Sequence, residues 1–401
     1  MKRSNALAGM ILFFAFLLMF SSSVFADEAQ EFKNAFRDGK FSGEIGSYFE
    51  YKDNEASDSN TGWATAYLTF KYETLKWNDL QFGVRFFGHG QLYNETQNSS
   101  DPFGADIETE FTLPELYFNY AFGEASNFRI GHWEHGKVSH IDDNQSEGLY
   151  VQYKEIEKLE LIAGLMNRFA EIDYDDGEDF GRTNDSQDLD DEPTYGSDSK
   201  PNLYFFEARY QPADLIGLNP FFMIQNDYAS VFGLETNVKS EWEKYKIKYG
   251  ANILYENINA EIAGSGDANV FAIMPFVQKG PVKLDLCYSM FSDGSALNKP
   301  QWLADINNIV DQDNADGMAG AEFFETRIKY SFEKLWLSYA FGIANYDTSA
   351  SAGNGFNDNE FQVGYKITDS LDVNVRYFIV SYDDIANKDY NKVETVLKFK
   401  F

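Results

Sequence analysis

From residue 41 onward, apolar and polar positions alternate with a period of two. In the C-terminal run Val393, Thr395, Leu397, Phe399 and Phe401 share one face, and Glu394, Val396, Lys398 and Lys400 share the other. Leu80, Phe82, Val84 and Phe86 alternate with Gln81, Gly83 and Arg85, and Tyr245, Ile247, Tyr249, Ala251, Ile253 and Tyr255 alternate with Lys244, Lys246, Lys248, Gly250 and Asn252. Val282–Met290 and Leu371–Ile379 repeat the pattern, with aromatics gathered near the ends of the runs. This is the signature of β-strands with one apolar face.

About eighteen such segments are predicted, near 41–51, 63–73, 80–89, 112–122, 128–133, 147–154, 159–169, 202–210, 219–226, 230–238, 242–255, 268–277, 282–291, 322–331, 335–345, 359–366, 371–382 and 392–401. Short connectors, such as 74–79, 123–127, 155–158, 239–241, 278–281 and 367–370, alternate with mostly longer polar ones at 52–62, 90–111, 134–146, 170–201, 292–321, 346–358 and 383–391. A soluble sandwich has no reason to keep that rhythm. A closed antiparallel up-and-down transmembrane β-barrel does, with short periplasmic turns and long extracellular loops. An all-β barrel of about eighteen strands leaves a water-filled lumen, and closure removes the unpaired edges that hydrocarbon penalises. The expectation is apolar side chains in an outer belt against lipid and polar ones around water.

Residues 1–26 read as a cleaved export signal: Lys2 and Arg3, an apolar run from Met10 to Phe20, then Val24-Phe25-Ala26 at the cleavage site. Residues 27–401 form the single mature barrel domain, and 27–40 are too few for a plug. The chain carries 33 Lys+Arg against 64 Asp+Glu, a formal charge of −31, and loss of Lys2 and Arg3 makes it −33. That balance excludes nucleic-acid binding. Its 44% hydrophobic content excludes acidic disorder. A mean hydropathy of −0.42 argues against a bundle of membrane helices, and the single Cys287 excludes an internal disulfide framework.

Phe32–Ile45, running on to Tyr48, resembles the opening of OprD-family outer-membrane porins, where a short amphipathic stretch leads into the first strand. Leu113–Tyr120 is similar to that family's fourth strand, and Phe128–Glu134 and Glu147–Gly164 also resemble it. The likeness is best over the first 170 residues. It implies an eighteen-stranded channel, monomeric or trimeric, for small hydrophilic solutes, with a preference for small anions and carboxylates or amino acids, narrowed by loops folding inward. Where the family carries an arginine-rich stretch after the fifth strand, this sequence has Lys137, His140, Asp142 and Asp143, the candidates for the constriction.

Parity sorts the charges on the strands. Arg85, Arg129, Arg168, Arg209, Lys244, Lys246, Lys248, Lys283, Arg327 and Arg376 are predicted to line the pore, with Lys154, Lys329, Lys398 and Lys400. The inward acidic set, Glu44, Glu50, Glu115, Glu207, Asp285, Glu325, Glu360, Asp372 and Glu394, is smaller, so the wall is expected to be net basic and the excess acid to lie in loops such as 170–202. Three outcomes are open: a basic ladder for anions, sharpest at Lys244, Lys246 and Lys248; an acidic vestibule for cations; or charges that balance one another.

No cofactor, metal site or catalytic apparatus is predicted. His132, His135 and His140 fit no zinc spacing, and no serine nucleophile accompanies His89. The acidic runs 173–179 and 311–316 miss the EF-hand pattern and leave only loose divalent-ion binding, bridging to lipopolysaccharide phosphates. Expected partners are outer-membrane lipid, lipopolysaccharide, small solutes and, through the final strand ending in Phe401, the barrel assembly machinery. The rival is a non-conducting surface barrel acting as an adhesin or structural protein.

Overall fold

The computed structural model describes residues 26–54, 60–96, 110–134, 140–141, 145–170, 187–188, 202–226, 229–260, 267–292, 320–345, 355–382 and 389–401. Residues 1–25 of the export signal, Lys137, Asp142, Asp143 and the acidic runs 173–179 and 311–316 lie outside these residues, and of Arg168 only the backbone is described.

After a helix α1 (Ala26–Arg37) the chain builds β1 (Lys40–Asn54), β2 (Asn60–Glu73), β3 (Leu80–Thr96), β4 (Glu110–Phe122), β5 (Ser126–Glu134), β6 (Gln145–Ile156) and β7 (Leu159–Ala170). The two-residue β8 (Gln187–Asp188) is followed by β9 (Leu203–Ala213), β10 (Ile216–Gln225), β11 (Ala229–Trp242), β12 (Ile247–Ala260), β13 (Ala268–Lys279) and β14 (Val282–Phe291). Then come β15 (Glu322–Phe332), β16 (Leu335–Asn345), β17 (Gly355–Lys366), β18 (Leu371–Tyr382) and β19 (Tyr390–Lys400). Each long strand pairs antiparallel with its neighbours in sequence, β7 pairs with β9, and β1 pairs with β19 along Glu44↔Lys400 to Asn54↔Tyr390. The sheet is therefore a closed barrel of eighteen long strands; β8 is a short flap on Arg168 and Phe169.

The strand ends explain the one misplaced run. β11 continues through Trp242, which pairs with Ile247, and the chain reverses in a 3₁₀ turn, Glu243–Tyr245, closed by Lys246 at φ 50°. Lys244 and Lys246 thus belong to a turn, and only Lys248 of the expected three-lysine ladder stands on a strand. At the β2–β3 corner, Trp77 and Leu80 exchange backbone hydrogen bonds across Asn78 and Asp79, both with positive φ. Asn and Asp tolerate that left-handed geometry, which matches the twist of a tight hairpin.

The outward faces are apolar and uncovered: Phe232 is 52% exposed, Ile328 49% and Phe324 48%. A belt of this size has no place on a water-soluble surface, and it fits lipid. Toward the long-loop end, outward tyrosines donate to polar residues on the next strand: Tyr255 to Asn269 (2.9 Å), Tyr288 to Glu322 (3.4 Å), Tyr339 to Asn359 (2.9 Å) and Tyr377 to Asn391 (3.3 Å). An amphipathic ring with its hydroxyl satisfied at one level is suited to a membrane–water interface.

The inward faces are not uniformly polar, contrary to expectation. In the long-loop half, Trp133, Phe205, Phe221, Phe323, Phe356 and Phe378 are buried on the inner side with Met166, Met223 and Val270, and Ile141 from the β5–β6 connector joins them. Several inward rings, Phe205 and Phe221 among them, lie against glycines directly opposite: Tyr67 on Gly46, Tyr117 on Gly83, Phe205 on Gly164, Phe221 on Gly233, Phe276 on Gly250 and Trp336 on Gly364. In each case a Cβ on the glycine would fall within the ring or against its edge. The missing side chains let these aromatics lie along the wall rather than project into the bore.

α1 has the composition of a good helix former, with Arg37 in its last turn complementing the dipole. It packs outside the barrel at the short-turn end: Phe32 meets Trp77 edge-on at 5.1 Å, Phe36 stacks at 6.2 Å on the outward Phe82, and Leu75 N–H donates to Ala35 C=O. Replacing Phe36 by alanine is expected to destabilise the folded barrel by about 1–2 kcal/mol, since the ring is only partly buried. A lowered heat-modifiability midpoint on electrophoresis checks this, and an unchanged midpoint removes the helix from the stability account.

Candidate functional site

Strand parity places Arg85, Arg129, Arg209, Lys248, Lys283, Arg327 and Arg376 on the inner face, where odd positions of β3, β5, β9, β14 and β15 and even positions of β12 and β18 are the less exposed. The structure also brings carboxylates against most of these cations. Glu115 receives Lys71 at 2.9 Å and Arg85 at 3.4 Å; Glu394 receives Arg376 at 2.7 Å and Lys392 at 2.8 Å. Arg209 joins Glu207 at 2.7 Å and Glu160 at 3.7 Å, and Glu160 also holds Lys154 at 3.1 Å. Lys283 meets Asp285 at 2.6 Å, Arg327 meets Glu360 at 3.2 Å, and Lys400 meets Glu44 at 3.8 Å across the closing seam. The expected net-basic wall is replaced by a wall of neutralised pairs.

The reason is that further carboxylates share the inner face. Glu73, Glu160, Glu235, Glu256 and Asp358 occupy inward positions too, as do Lys52, Lys71 and Lys392. Glu235 was readable, because Val231, Gly233, Glu235 and Asn237 alternate with Phe232, Leu234, Thr236 and Val238.

Arg129, Lys329 and Lys248 are inward cations with no ion pair among the described residues. Arg129 lies with its guanidinium 4.1 Å over Tyr117 and 5.7 Å from the Tyr150 ring. Lys329 lies 4.8 Å over Trp336, and Lys248 stands exposed toward the short-turn end. Cation–π contact holds a guanidinium or ammonium against the wall without cancelling its charge.

The lumen opens toward the short-turn end into a cavity of about 900 Å³, walled by β6, β7 and β9–β14. Lys154, Glu160, Arg209, Asn219, Glu235, Asn252 and Asp285 supply its polar lining, Met274 and Phe276 part of its apolar lining. On its long-loop side stands His140, the one constriction candidate among the described residues. Its ring stacks on Phe221, with centroids 3.6 Å apart and planes 12° apart, and its Nε2 lies 3.6 Å from Glu235 Oε2. Burial pushes this imidazole below its ordinary value and Arg209 adds to that, against the opposing pull of Glu207 and Glu235. Glu235 accepts from Asn219 Nδ2 at 3.0 Å and from Asn252 Nδ2 at 2.5 Å. His132 pairs instead with Glu147 at 3.0 Å on the outer side of β5 and β6. No group of three or more metal-ligating side chains occurs among the described residues.

No family model matches the sequence, and no curated protein matches it. Solved structures do match. Pseudomonas aeruginosa OccK9 (OpdG) superposes with a TM-score of 0.72 at 13% identity, over 92% of this chain and 99% of that one. Pseudomonas aeruginosa OccK8 (OprE) gives 0.71 at 11% identity over 92% and 99%, and Acinetobacter baumannii OccAB1 gives 0.70 at 14% over 92% and 98%. The Pseudomonas structures are OprD-family porins, the family whose likeness the N-terminal segments carry. At these identities the agreement establishes the fold: an outer-membrane type barrel of eighteen strands.

Proposed function

We propose that this protein is a porin of the Gram-negative outer membrane, a passive, water-filled channel for small hydrophilic solutes and ions. The observation that carries the reading is the closed eighteen-stranded barrel with an uncovered apolar belt outside and a cavity of about 900 Å³ lined by paired charges inside. Paired charges present hydrogen-bonding groups to a passing solute while largely cancelling each other's field. The reading therefore includes neither a strong anion preference nor catalysis, and amino-acid-sized zwitterions suit such a wall. The belt meets lipid, the long loops face outward toward lipopolysaccharide through divalent ions, and β19 with Phe401 after it is the segment offered to the assembly machinery.

A non-conducting surface barrel is favoured by one feature, the apolar packing over the inner long-loop half. Purified protein inserted in planar bilayers separates the two. Stable, stepwise conductance is expected. Insertion without steps, with the folded form verified by heat-modifiability, refutes the channel and leaves the surface barrel.

A further inference from the structure

One inner-wall carboxylate, Glu235, opens on the cavity with no Lys or Arg paired to it among the described residues. Its contacts are the amides of Asn219 and Asn252 and the ring of His140. Amide donors orient a carboxylate without cancelling its charge, whereas Glu115, Glu160, Glu207, Asp285, Glu360 and Glu394 each face a Lys or Arg. The group that can neutralise Glu235 is His140, held in place by the face-to-face stack on Phe221.

We propose that Glu235 is the cation-selecting residue of this lumen, and that protonation of His140 switches it off. The proposal rests on the channel reading above. With the imidazole neutral, Glu235 adds an uncompensated negative charge to an otherwise balanced cavity and draws in monovalent cations and solutes bearing an ammonium or guanidinium group. A protonated ring 3.6 Å away closes to an ion pair and removes that charge. The groups facing the ring are Glu235 on β11, Glu207 and Arg209 on β9, and Phe221 on β10. Burial, the largest influence, lowers the imidazole's proton affinity, so the switch falls below the ordinary value of 6.5. The cavity is thus cation-preferring at neutral pH and close to indifferent in acid.

The test is the reversal potential in planar bilayers under a potassium chloride gradient, taken from about pH 7.5 down to about pH 5. The wild-type cation-over-anion permeability ratio is expected to fall by about threefold, with its midpoint below 6.5. Glu235→Gln should show the low ratio at every pH, and His140→Gln the high one without the fall. Phe221→Leu, which removes the stacking platform but neither charge, should move the midpoint upward, and it keeps the question answerable if His140→Gln does not assemble. A wild-type ratio that does not change with pH, or a full fall retained in His140→Gln, overturns the proposal while leaving the channel standing. Absence of conductance in every variant overturns both.

Discussion

Replacing Gly364 by valine will lift the Trp336 ring off the barrel wall. A side chain at 364 would occupy the space where the indole lies, and the two residues are directly opposed on β16 and β17. Backbone on one side and the packed sheet on the other leave the ring one way to move, into the bore. Overpacking of this kind costs about 1–3 kcal/mol, and Lys329, now 4.8 Å over the indole, loses its platform. Two readouts follow: a lower midpoint for unfolding in urea with lipid vesicles, and single-channel conductance reduced by roughly half as an indole comes to obstruct the lumen. The double variant Gly364→Val with Trp336→Ala should recover most of both, because the clash needs both partners. Full conductance and unchanged stability in Gly364→Val would show that the ring finds room elsewhere and that the opposed glycine is incidental.

The second large effect is expected from Glu115→Ala. This carboxylate is 2% exposed in its side chain and holds Lys71 and Arg85 at once. Its removal leaves two cations close together on the wall, with Glu73, 3.9 Å from Lys71, as the nearest replacement. Breaking a buried pair costs about 3–5 kcal/mol; both cations retain some exposure to the lumen, so about 2–3 kcal/mol is expected here. Selectivity should move with stability: the reversal potential shifts toward anions, by about threefold in permeability ratio. Asp285→Asn provides the contrast, since its partner Lys283 is 40% exposed and already hydrated; it should change both readouts less. Equal, small effects in the two variants would mean that the wall pairs act as independent hydrated charges.

Most of the architecture was legible in the sequence because a barrel strand must satisfy two solvents, which writes a period of two into every segment. The alternation fixed which face of β3, β14, β15 and β18 carries Arg85, Lys283, Arg327 and Arg376. It failed at Lys244 and Lys246, where polar residues happen to continue the period through a turn; the reversal there is made by Lys246 at positive φ, a backbone event with no side-chain signature. The balance of charge was less legible. Which cations are cancelled depends on register between strands, as in Arg376 with Glu394 and Arg85 with Glu115, and register follows from connector lengths that a single strand does not encode. The contact between His140 and Glu235 is harder still, since it joins a connector to a strand on the far side of Phe221 by packing alone. The apolar lining of the long-loop half escaped for a related reason: Trp133, Phe323 and Phe378 face inward at positions where parity alone predicts contact with water.

The tyrosine hydroxyls bonded to Asn269, Glu322, Asn359 and Asn391 have a mechanical corollary. They act as a waterline on the hull. Sinking the barrel would drag several phenol–amide or phenol–carboxylate partners into hydrocarbon together, each at about 1–3 kcal/mol, while raising it would bare the greasy belt beneath them. Immersion depth is thereby held from above and below. The protein should thin or thicken the surrounding bilayer to meet its own mark rather than ride up and down as lipid length changes.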